Sequence, residues 1–368
     1  MIVGPAHPYR GGIASFNERM AKEFQTQGWK VTLVTFTLQY PSFLFPGKDQ
    51  LHDGPAPKNL VIYRKLNSIN PFSWFRTASF IKSLKPDLVI SHFWHPYLGP
   101  AIGNVLKNSK TKNISIVHNL YPHERKTGDN TLIKKFIFNT EKYIALSKKV
   151  EQDLHELTDP KNVLQSPHPV FDNYGEAVDQ SEALKKLNLS DGYDYILFFG
   201  LIRAYKGLDL LLDAYANFSK TNKKVKLLVA GEFYDKQENY LHQIDKLGIK
   251  DDVIIHDYFI PNDQVKYYFS ACDLVAQTYH RATQSGIMQI AIHFEKPMLV
   301  TNVGGLAEMI EDKKHGYITE VDSTRISEAL LEFFSKENNK EELSKELSSL
   351  KEKYSWQSFY RQIESFQA

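Results

Sequence analysis

The sequence predicts an α/β protein built from two doubly wound domains, each a parallel sheet with helices on both faces. Short apolar runs alternate with amphipathic stretches in both halves of the chain, as expected for parallel strands joined by crossover helices. At 368 residues the chain is too long for one comfortable hydrophobic core. A segment rich in Pro and Gly, residues 165–175, separates the two series of runs as an interdomain connection would.

In the first half, apolar runs predict strands and amphipathic stretches predict helices. The predicted strands are residues 2–4, 31–36, 60–63, 88–91, 114–118 and 143–146, and the predicted helices are residues 13–27, 74–84, 98–108, 130–140 and 148–156. Residues 39–57 form a long loop with four Pro residues. Loops of this length in compact domains are usually functional or mobile.

The second half repeats the pattern. Its predicted strands are residues 195–200, 225–231, 253–256, 274–277, 298–301 and 316–318, with helices between them. Residues 336–367 are predicted to be helical, with a strongly charged beginning and an apolar face restored at the end. Ligands in such folds bind at the carboxyl ends of the strands.

Charge is unevenly divided between the halves. The whole chain has 45 basic and 43 acidic residues, a net charge of +2, so nothing in the total indicates a nucleic-acid partner. Residues 1–175 contain 22 basic and 13 acidic residues, whereas residues 176–368 contain 23 basic and 30 acidic ones, which gives +9 and −7. A basic first half favours an anionic partner or an anionic surface.

Cysteine use and hydropathy indicate the compartment. The single Cys272 excludes an intramolecular disulfide, a zinc cluster built from cysteines and a redox pair, which fits a reducing environment. No stretch is typical of a membrane span, and no signal peptide is visible at the start. We therefore expect a cytoplasmic protein. Residues 70–85 interleave aromatic and basic side chains. If this segment lies in a bilayer interface, the protein is expected at the inner face of the plasma membrane. An ordinary helix packed on the sheet is the alternative for that segment.

A glycine turn follows the first predicted strand. Gly11 and Gly12 open the first helix, where their backbone N–H groups and the helix dipole favour an anion. The spacing differs from that of a dinucleotide-binding fingerprint. A tight turn without a ligand remains the alternative.

A basic turn opens the second domain. Gly200, Arg203 and Lys206 lie between a predicted strand and an amphipathic helix, a placement that suits the two charges of a diphosphate. Residues 281–287 and 301–308 precede two further predicted helices at the same sheet edge. Any one of these turns is explained by ordinary turn chemistry, but the three together favour a nucleotide-diphosphate site.

On these motifs the sequence resembles the retaining glycosyltransferases of family 4, which have the GT-B fold. The motifs occur in the family's order along almost the whole chain: the opening glycine turn, residues 117–119 and 122–124, residues 205–208, and residues 296–308. The resemblance implies two Rossmann-like domains facing a central cleft, with an acceptor domain at 1–170, a nucleotide-sugar domain at 171–352 and a terminal helix at 353–368 that packs back on the first domain. It also implies that domain closure brings Gly11 and Gly12 against the donor.

The resemblance assigns donor-binding residues in the second domain. Arg203 and Lys206 would neutralise the diphosphate, although in the family pattern the Arg directly follows the strand-end glycine and here Leu201 holds that position. The family's usual acidic pair is missing, because Ala282 and Ile290 occupy its places. The loop itself is retained, so the remaining candidates are Gln284, Ser285, Gly286, Ile287 and, for the ribose, Gln289 first and Glu308 second. A solvent-facing Gln289 is the alternative.

Histidines dominate the candidates of the first domain. His118 ends a predicted strand and matches the family's active-site histidine, although a lone His is more often structural. Acceptor contacts are expected from His92, Trp94, His95, Asn119, His123 and Glu124. An aromatic packing cluster is the alternative for His92, Trp94 and His95, and a loop-shaping role is the alternative for His123 and Glu124. The sequence has no HExxH pair and no DxD motif, so we expect neither metal nor cofactor.

The expected reaction follows from the resemblance. A hydroxyl of a glycan or lipid-linked acceptor would attack the anomeric carbon of a UDP- or GDP-linked sugar with retention, in the synthesis of a surface polysaccharide, with Arg203, Lys206 and His118 as catalytic residues. The leaving diphosphate would accept the proton, and preorganised charge would supply most of the catalysis. Two alternatives remain: an epimerase or hydrolase of nucleotide sugars with the same fold, and an inactive nucleotide-sugar-binding protein.

Overall fold

The structure is a computed structural model that describes residues 1–41, 50–51, 54–122, 127–282, 285–335 and 339–367. The chain divides into two compact units, one made of Met1–His168 with Trp356–Ala368 and the other of Pro169–Ser355. The sequence places these boundaries at 170/171 and 352/353. The first unit therefore consists of two separate chain segments.

The first unit is a parallel α/β sheet with helices on both faces. Within the described residues its strands follow the order β3-β2-β1-β4-β5-β6-β7. They are β1 (Ile2–Val3), β2 (Thr32–Leu38), β3 (Val61–Asn67), β4 (Val89–Phe93), β5 (Asn113–Val117), β6 (Lys142–Ala145) and β7 (Val163–Gln165). The helices are α1 (Gly12–Thr26), α2 (Pro71–Leu84), α3 (Gly99–Ser109), α4 (Asp129–Ile137), α5 (Lys148–His155) and, from the end of the chain, α13 (Trp356–Gln367).

The second unit has the same design. Within its described residues the strands follow the order β10-β9-β8-β11-β12-β13, again all parallel. They are β8 (Asp194–Phe199), β9 (Val225–Ala230), β10 (Val253–His256), β11 (Leu274–Gln277), β12 (Met298–Thr301) and β13 (Gly316–Thr319). The helices are α6 (Gln180–Lys186), α7 (Leu208–Phe218), α8 (Gln237–Leu247), α9 (Val265–Ala271), α10 (Gly286–His293), α11 (Ser323–Ser335) and α12 (Asn339–Lys353).

Each sheet has a hydrophobic core on both faces. Successive strand residues alternate between the two cores, as Ile196 and Leu197 of β8 do. Buried parallel strands of this kind are close to continuously apolar, which is why the sequence pattern locates them. The prediction of two doubly wound domains is confirmed.

The strand order reverses once in each sheet, between β1 and β4 and between β8 and β11. The crossover connections diverge to opposite faces at such a point and leave a crevice at the carboxyl ends of the two strands. Gly4 and His92 flank the first reversal, and Gly200 and Gln277 flank the second. The carboxyl edges at these two points are therefore where ligand-binding side chains are expected.

Two expectations about secondary structure need correction. The predicted continuous helix at 336–367 is two helices, α12 and α13, with residues 336–338 outside the described part. The break follows Tyr354, whose carbonyl accepts a hydrogen bond from Val170 N–H at 2.9 Å instead of continuing the helical ladder. A further strand, β7, extends the first sheet where the sequence places only the approach to the interdomain connection.

Candidate active site

His118 lies at the carboxyl edge of the first sheet, directly after β5. Its backbone N–H donates to the carbonyl of Phe93 at the end of β4 at 2.9 Å, which ties the two strand ends together. Nδ1 of His92, on β4, lies 3.0 Å from Nε2 of His118. The structure thus places the two histidines in hydrogen-bond contact, a relation that nothing in their 26-residue separation indicates.

Burial keeps both imidazoles neutral. Burial, with a smaller contribution from nearby His168, lowers the pKa of His92 to about 3. The pKa of His118 is also well below its usual value, mainly because of burial, with smaller contributions from His92 and His168. The ring of Phe16 contacts all three histidines edge-on, with centroid distances of 5.5, 5.5 and 4.7 Å.

The glycine turn provides an open helix N-terminus. Gly11, with φ of 111°, precedes α1. Among the described residues no side-chain oxygen caps the helix, and its first turn contains no acidic residue. A Cβ added at Gly11 or Gly12 would meet no atom within 4 Å, so packing within the described residues does not require glycine at Gly12. The first N–H groups of α1 are therefore accessible to an anion.

The acceptor candidates of the first unit have different environments. Trp94 donates its indole N–H to the Tyr40 hydroxyl at 2.6 Å, and Nδ1 of His95 accepts from Tyr97 N–H at 3.3 Å. Asn119 is exposed. The expectation that His92 contacts the acceptor is wrong, because its exposed fraction is 0%. His123 and Glu124 lie outside the described residues.

In the second unit, Lys206 points back to the end of β8. Its Nζ lies 3.3 Å from the position that a Cβ would take on Gly200, whose φ is 100°. It also lies 5.6 Å from the centre of the Tyr279 ring. Burial, assisted by the charge of Arg203, lowers the pKa of Lys206 to about 8. Arg203 itself is exposed and stacks on Tyr234, with 5.0 Å between guanidinium carbon and ring centre.

The start of α10 lies at the same point. Cδ1 of Ile287 also lies 3.3 Å from the position that a Cβ would take on Gly200. Ser285 caps the helix by accepting from Ile287 N–H at 3.3 Å, and its hydroxyl lies 3.1 Å from the Tyr279 hydroxyl. Lys206 and the first turn of α10 therefore meet at Gly200, and Tyr279 contacts both of them, an arrangement that suits phosphate oxygens. Gln284 lies outside the described residues, and Gly286 packs against Phe171.

The two ribose candidates differ in exposure. Gln289 is 3% exposed, with Nε2 3.2 Å from the Met309 sulfur and with Oε1 lacking a partner among the described residues, so the alternative of a solvent-facing Gln289 is wrong. Glu308 is exposed. The expected helix after the Gly304-Gly305 turn is absent from the described residues, where positions 304–308 form successive turns.

Several side chains at this edge were not predicted from the sequence. Tyr279 follows β11 and contacts both Lys206 and Ser285. Gln277, the last residue of β11, is 1% exposed, and neither of its amide atoms has a partner among the described residues. Tyr234, Tyr258 and Phe259 are exposed aromatics that follow β9 and β10. In the sequence, each of these residues is polar or aromatic and lies at or just after the end of a strand, and this pattern could have identified them.

A separate cavity of about 700 Å³ opens beside the basic turn. Its walls are Ala204, Tyr205, Asp209, Asp235, Lys236, Asn239, Tyr240, Gln243, His280 and Arg281. Neither Gly200 nor Lys206 lines it, and it contains two carboxylates. We therefore place the candidate anion site at Gly200 and not in this cavity.

The described residues contain neither a candidate metal site nor a candidate membrane-spanning helix. No group of three or more His, Cys, Asp or Glu side chains is arranged to hold a metal ion in that part of the chain. No helix of the described chain has the length and apolar character that crossing a bilayer requires.

Comparison with known proteins supports both units. The family model for glycosyl transferases group 1 matches residues 179–349, and that for Glycosyltransferase Family 4 matches residues 10–170. An uncharacterized glycosyltransferase of Methanocaldococcus jannaschii is 24% identical over 95% of this chain and 92% of its own. A putative teichuronic acid biosynthesis glycosyltransferase of Bacillus subtilis is 22% identical over 88% of this chain and 85% of its own. The crystal structure of Anabaena HepE in complex with UDP-glucose is 14% identical, with a TM-score of 0.71 over 99% of this chain and 98% of that one.

Two Rossmann-like domains of this topology define a protein of the GT-B fold. With both family models matched in order along the chain, it belongs to the group 1/family 4 glycosyltransferases and is an enzyme of the glycosyl-transferring class.

Proposed function

We propose that the enzyme moves a sugar from a UDP- or GDP-linked donor to a hydroxyl of a glycan or lipid-linked acceptor, with retention and without metal or cofactor, in surface polysaccharide synthesis at the cytoplasmic side of the membrane. The name of the Bacillus subtilis relative supports the polysaccharide role, and the UDP-glucose complex of HepE supports the donor class. The basic first unit supports an anionic acceptor.

Lys206 carries the proposal. Its ammonium is half-buried, and no carboxylate of the described residues lies within 4 Å of it. A buried ammonium without a counter-ion is unfavourable, as its lowered pKa records. A diphosphate placed between Lys206, Arg203 and the first turn of α10 would supply the missing negative charge. The same cations would stabilise the charge that develops on the leaving group.

The proposed chemistry is a same-face displacement. The acceptor oxygen forms a bond to the anomeric carbon as the bond from that carbon to the diphosphate oxygen breaks. The acceptor proton passes to the leaving diphosphate, whose charge Lys206 and Arg203 offset. His118 is neutral and would bind a hydroxyl of the transferred sugar, which orients the anomeric carbon.

The first experiment identifies the donor and tests transfer. A thermal-shift panel of UDP, GDP, ADP, CMP and their common sugars identifies the ligand, because a ligand bound to the native state raises the melting temperature. Release of the nucleoside diphosphate is then measured with and without acceptor. Lys206→Ala and His118→Ala are each expected to lose about 100-fold or more in turnover. Lys246→Ala and His155→Ala, at exposed positions of the same two units, are the matched controls.

Each alternative has its own outcome. Donor hydrolysis or epimerisation without acceptor would indicate the hydrolase or epimerase. Donor binding without turnover in the presence of acceptors would indicate a binding protein. Full turnover by both alanine variants would overturn the site assignment.

A second proposal concerns α2. The helix packs on the sheet through Thr77, Ala78 and Ile81, yet Phe72 and Phe75 are 77% and 53% exposed. Trp74, in contrast, donates its indole N–H to the Asn67 carbonyl at 2.7 Å. We propose that the two phenylalanines enter an anionic membrane surface.

Phe72→Ser/Phe75→Ser should abolish flotation with anionic liposomes, whereas Phe138→Ser, at an exposed position elsewhere, should not. Lack of binding by the wild type would refute the proposal.

A further inference from the structure

The cavity beside the basic turn is formed by three loops of the second unit. Residues 204–205 follow β8, residues 235–236 follow β9 and residues 280–281 follow β11, and the other walls come from α7 and α8. Its volume of about 700 Å³ lies within the range of about 300–1,000 Å³ usual for small-molecule sites. We propose that this cavity binds a sugar unit of a neutral glycan, at a site separate from the donor site at Gly200.

The cavity and the Gly200 site lie on different faces of the second sheet. Helices α7 and α8 pack in the core that contains Leu208 and Tyr240, whereas α10 packs in the core that contains Met288. Lys206 and Gly200 do not line the cavity. A ligand in the cavity therefore contacts other residues than a diphosphate at Gly200 does, and the inference goes beyond the proposed function.

The charges of the cavity walls favour an uncharged ligand. Two carboxylates, Asp209 and Asp235, are present beside two cations, Lys236 and Arg281. Nε2 of His280 lies 3.0 Å from each carboxylate oxygen of Asp209. Lys236 and Arg281 form no ion pair among the residues that the structure describes. An anion would be attracted by the cations and repelled by the carboxylates, whereas a neutral ligand has no such repulsion to overcome.

The walls offer both hydrogen-bond donors and acceptors. The side chains of Asn239 and Arg281 make no hydrogen bond within the described part of the chain. The amide nitrogen of Gln243 donates to the Asp209 carbonyl at 2.9 Å and to Oδ1 of Asp213 at 2.8 Å, which leaves its amide oxygen to accept. A hydroxyl group both donates and accepts, so a ligand with several hydroxyls can pair with all of these groups.

Two tyrosines add aromatic surface. Tyr205 is 37% exposed and its ring packs edge-on against Tyr279, with 6.1 Å between ring centres. Burial, with smaller contributions from Asp235 and Asp209, raises the pKa of Tyr240 to about 12, so its hydroxyl keeps the proton and donates to Asp235 at 3.4 Å. The C–H face of a sugar ring can pack on such aromatic surface while the hydroxyls of the sugar reach the polar walls.

The test is saturation-transfer NMR of the full-length enzyme with glucose, galactose, mannose, N-acetylglucosamine and linear oligosaccharides of each. The wild type should transfer saturation to at least one oligosaccharide. Asn239→Trp fills the cavity from α8 and should weaken that binding about 10-fold or more. The thermal shift given by UDP or GDP should stay unchanged. Glu238→Trp is the matched control, because Glu238 is exposed on the same helix and does not line the cavity.

Asp235→Ala is a second variant that does not depend on the fit of the Trp ring. Asp235 is exposed, so the protein should fold normally, and loss of its carboxylate should weaken saccharide binding about 10-fold. Saccharide binding retained by both Asp235→Ala and Asn239→Trp would place the sugar elsewhere and overturn the inference. Absence of saturation transfer from the wild type to every saccharide would also overturn it.

Two further outcomes would assign the cavity to another ligand. Loss of the UDP or GDP shift in Asn239→Trp but not in Glu238→Trp would make the cavity part of the donor site. Inorganic phosphate that binds the wild type and not Asn239→Trp would make it an anion site. Either result overturns the inference. If no nucleotide stabilises the wild type, the proposed function fails, while the saccharide measurements still decide whether the cavity binds a glycan.

Discussion

Lys206, which we propose binds the diphosphate, lowers the stability of the native state when it is charged. Its folded pKa is about 8, below the usual value of 10.5, because burial and Arg203 disfavour the ammonium. A pKa lowered on folding means that the charged form weakens the native state below pH 8. This destabilisation is lost as the pH rises above the pKa that Lys206 has in the unfolded chain. A bound diphosphate would offset it by supplying negative charge.

The first prediction concerns the pH dependence of nucleotide binding. Affinity for the nucleoside diphosphate should fall as pH rises from about 7 to about 9, because Lys206 loses its proton near pH 8 in the free enzyme. Isothermal titration in buffers of different ionisation enthalpy should show proton uptake on binding near pH 8. Lys206→Met should bind weakly at both pH values and lose the proton uptake, while its unfolding free energy at neutral pH should rise by about 1 kcal/mol. Equal affinity of the wild type at the two pH values would contradict this role.

At the scale of elements, the turn before α7 is tied to the segment after β11. Thr278 donates from its hydroxyl to the Gly207 carbonyl at 2.7 Å, and His280 N–H donates to the Tyr205 carbonyl at 2.8 Å. A Cβ on Gly207 would lie 1.9 Å from the Thr278 carbonyl oxygen, and its φ is 68°. These contacts join the two loops that flank the strand-order reversal and hold Lys206 beside Gly200.

The second prediction tests that junction. Gly207→Ala should destabilise the protein by about 2 kcal/mol or more, because the methyl group forces the two loops apart in addition to straining the backbone. Donor affinity should fall as well, since Lys206 moves with the turn. Gly248→Ala is the matched control, because Gly248 also has φ of 68° but no atom within 4 Å of its Cβ position. Urea unfolding of both variants separates steric clash from backbone strain, and equal losses would show that the close contact is unimportant.

At the scale of the whole molecule, the last helix completes the first unit. Trp356, Phe359 and Ile363 of α13 are buried in the same core as Phe16 of α1, and Trp29 donates its indole N–H to the Tyr360 hydroxyl at 3.0 Å. When charge is counted by structural unit, the first has 23 basic and 13 acidic residues, +10, and the second 22 and 30, −8. The difference between the units is thus slightly larger than the difference between the sequence halves.

The third prediction concerns this helix. Phe359→Ala should destabilise the first unit by about 3 to 5 kcal/mol, since Phe359 is 2% exposed and contacts Phe16. Hydrogen exchange followed by mass spectrometry should then accelerate in α1 and β1, and remain slow in β8 and β11 of the second unit. Phe138→Ala is the control because Phe138 is 80% exposed. Uniform acceleration in both units would contradict a local role for α13.

Local patterns in the sequence predicted the two doubly wound domains, the position of most strands and the family. Buried parallel strands are continuous apolar runs, and turns at their ends need Gly and polar residues, so both leave a local signal such as residues 196–199 followed by Gly200. His118 and Lys206 were predicted because each follows such a signal closely.

Local patterns could not predict which side chains contact each other. His92 contacts His118, 26 positions further along the chain, and Lys206 contacts Tyr279, 73 positions further along. Helices α1 and α13 contact each other across hundreds of positions. Strand order decides these neighbours, and strand order depends on how crossover helices pack on the two faces rather than on any local pattern. For the same reason burial overturned the expected acceptor contact of His92 and the solvent-facing alternative for Gln289.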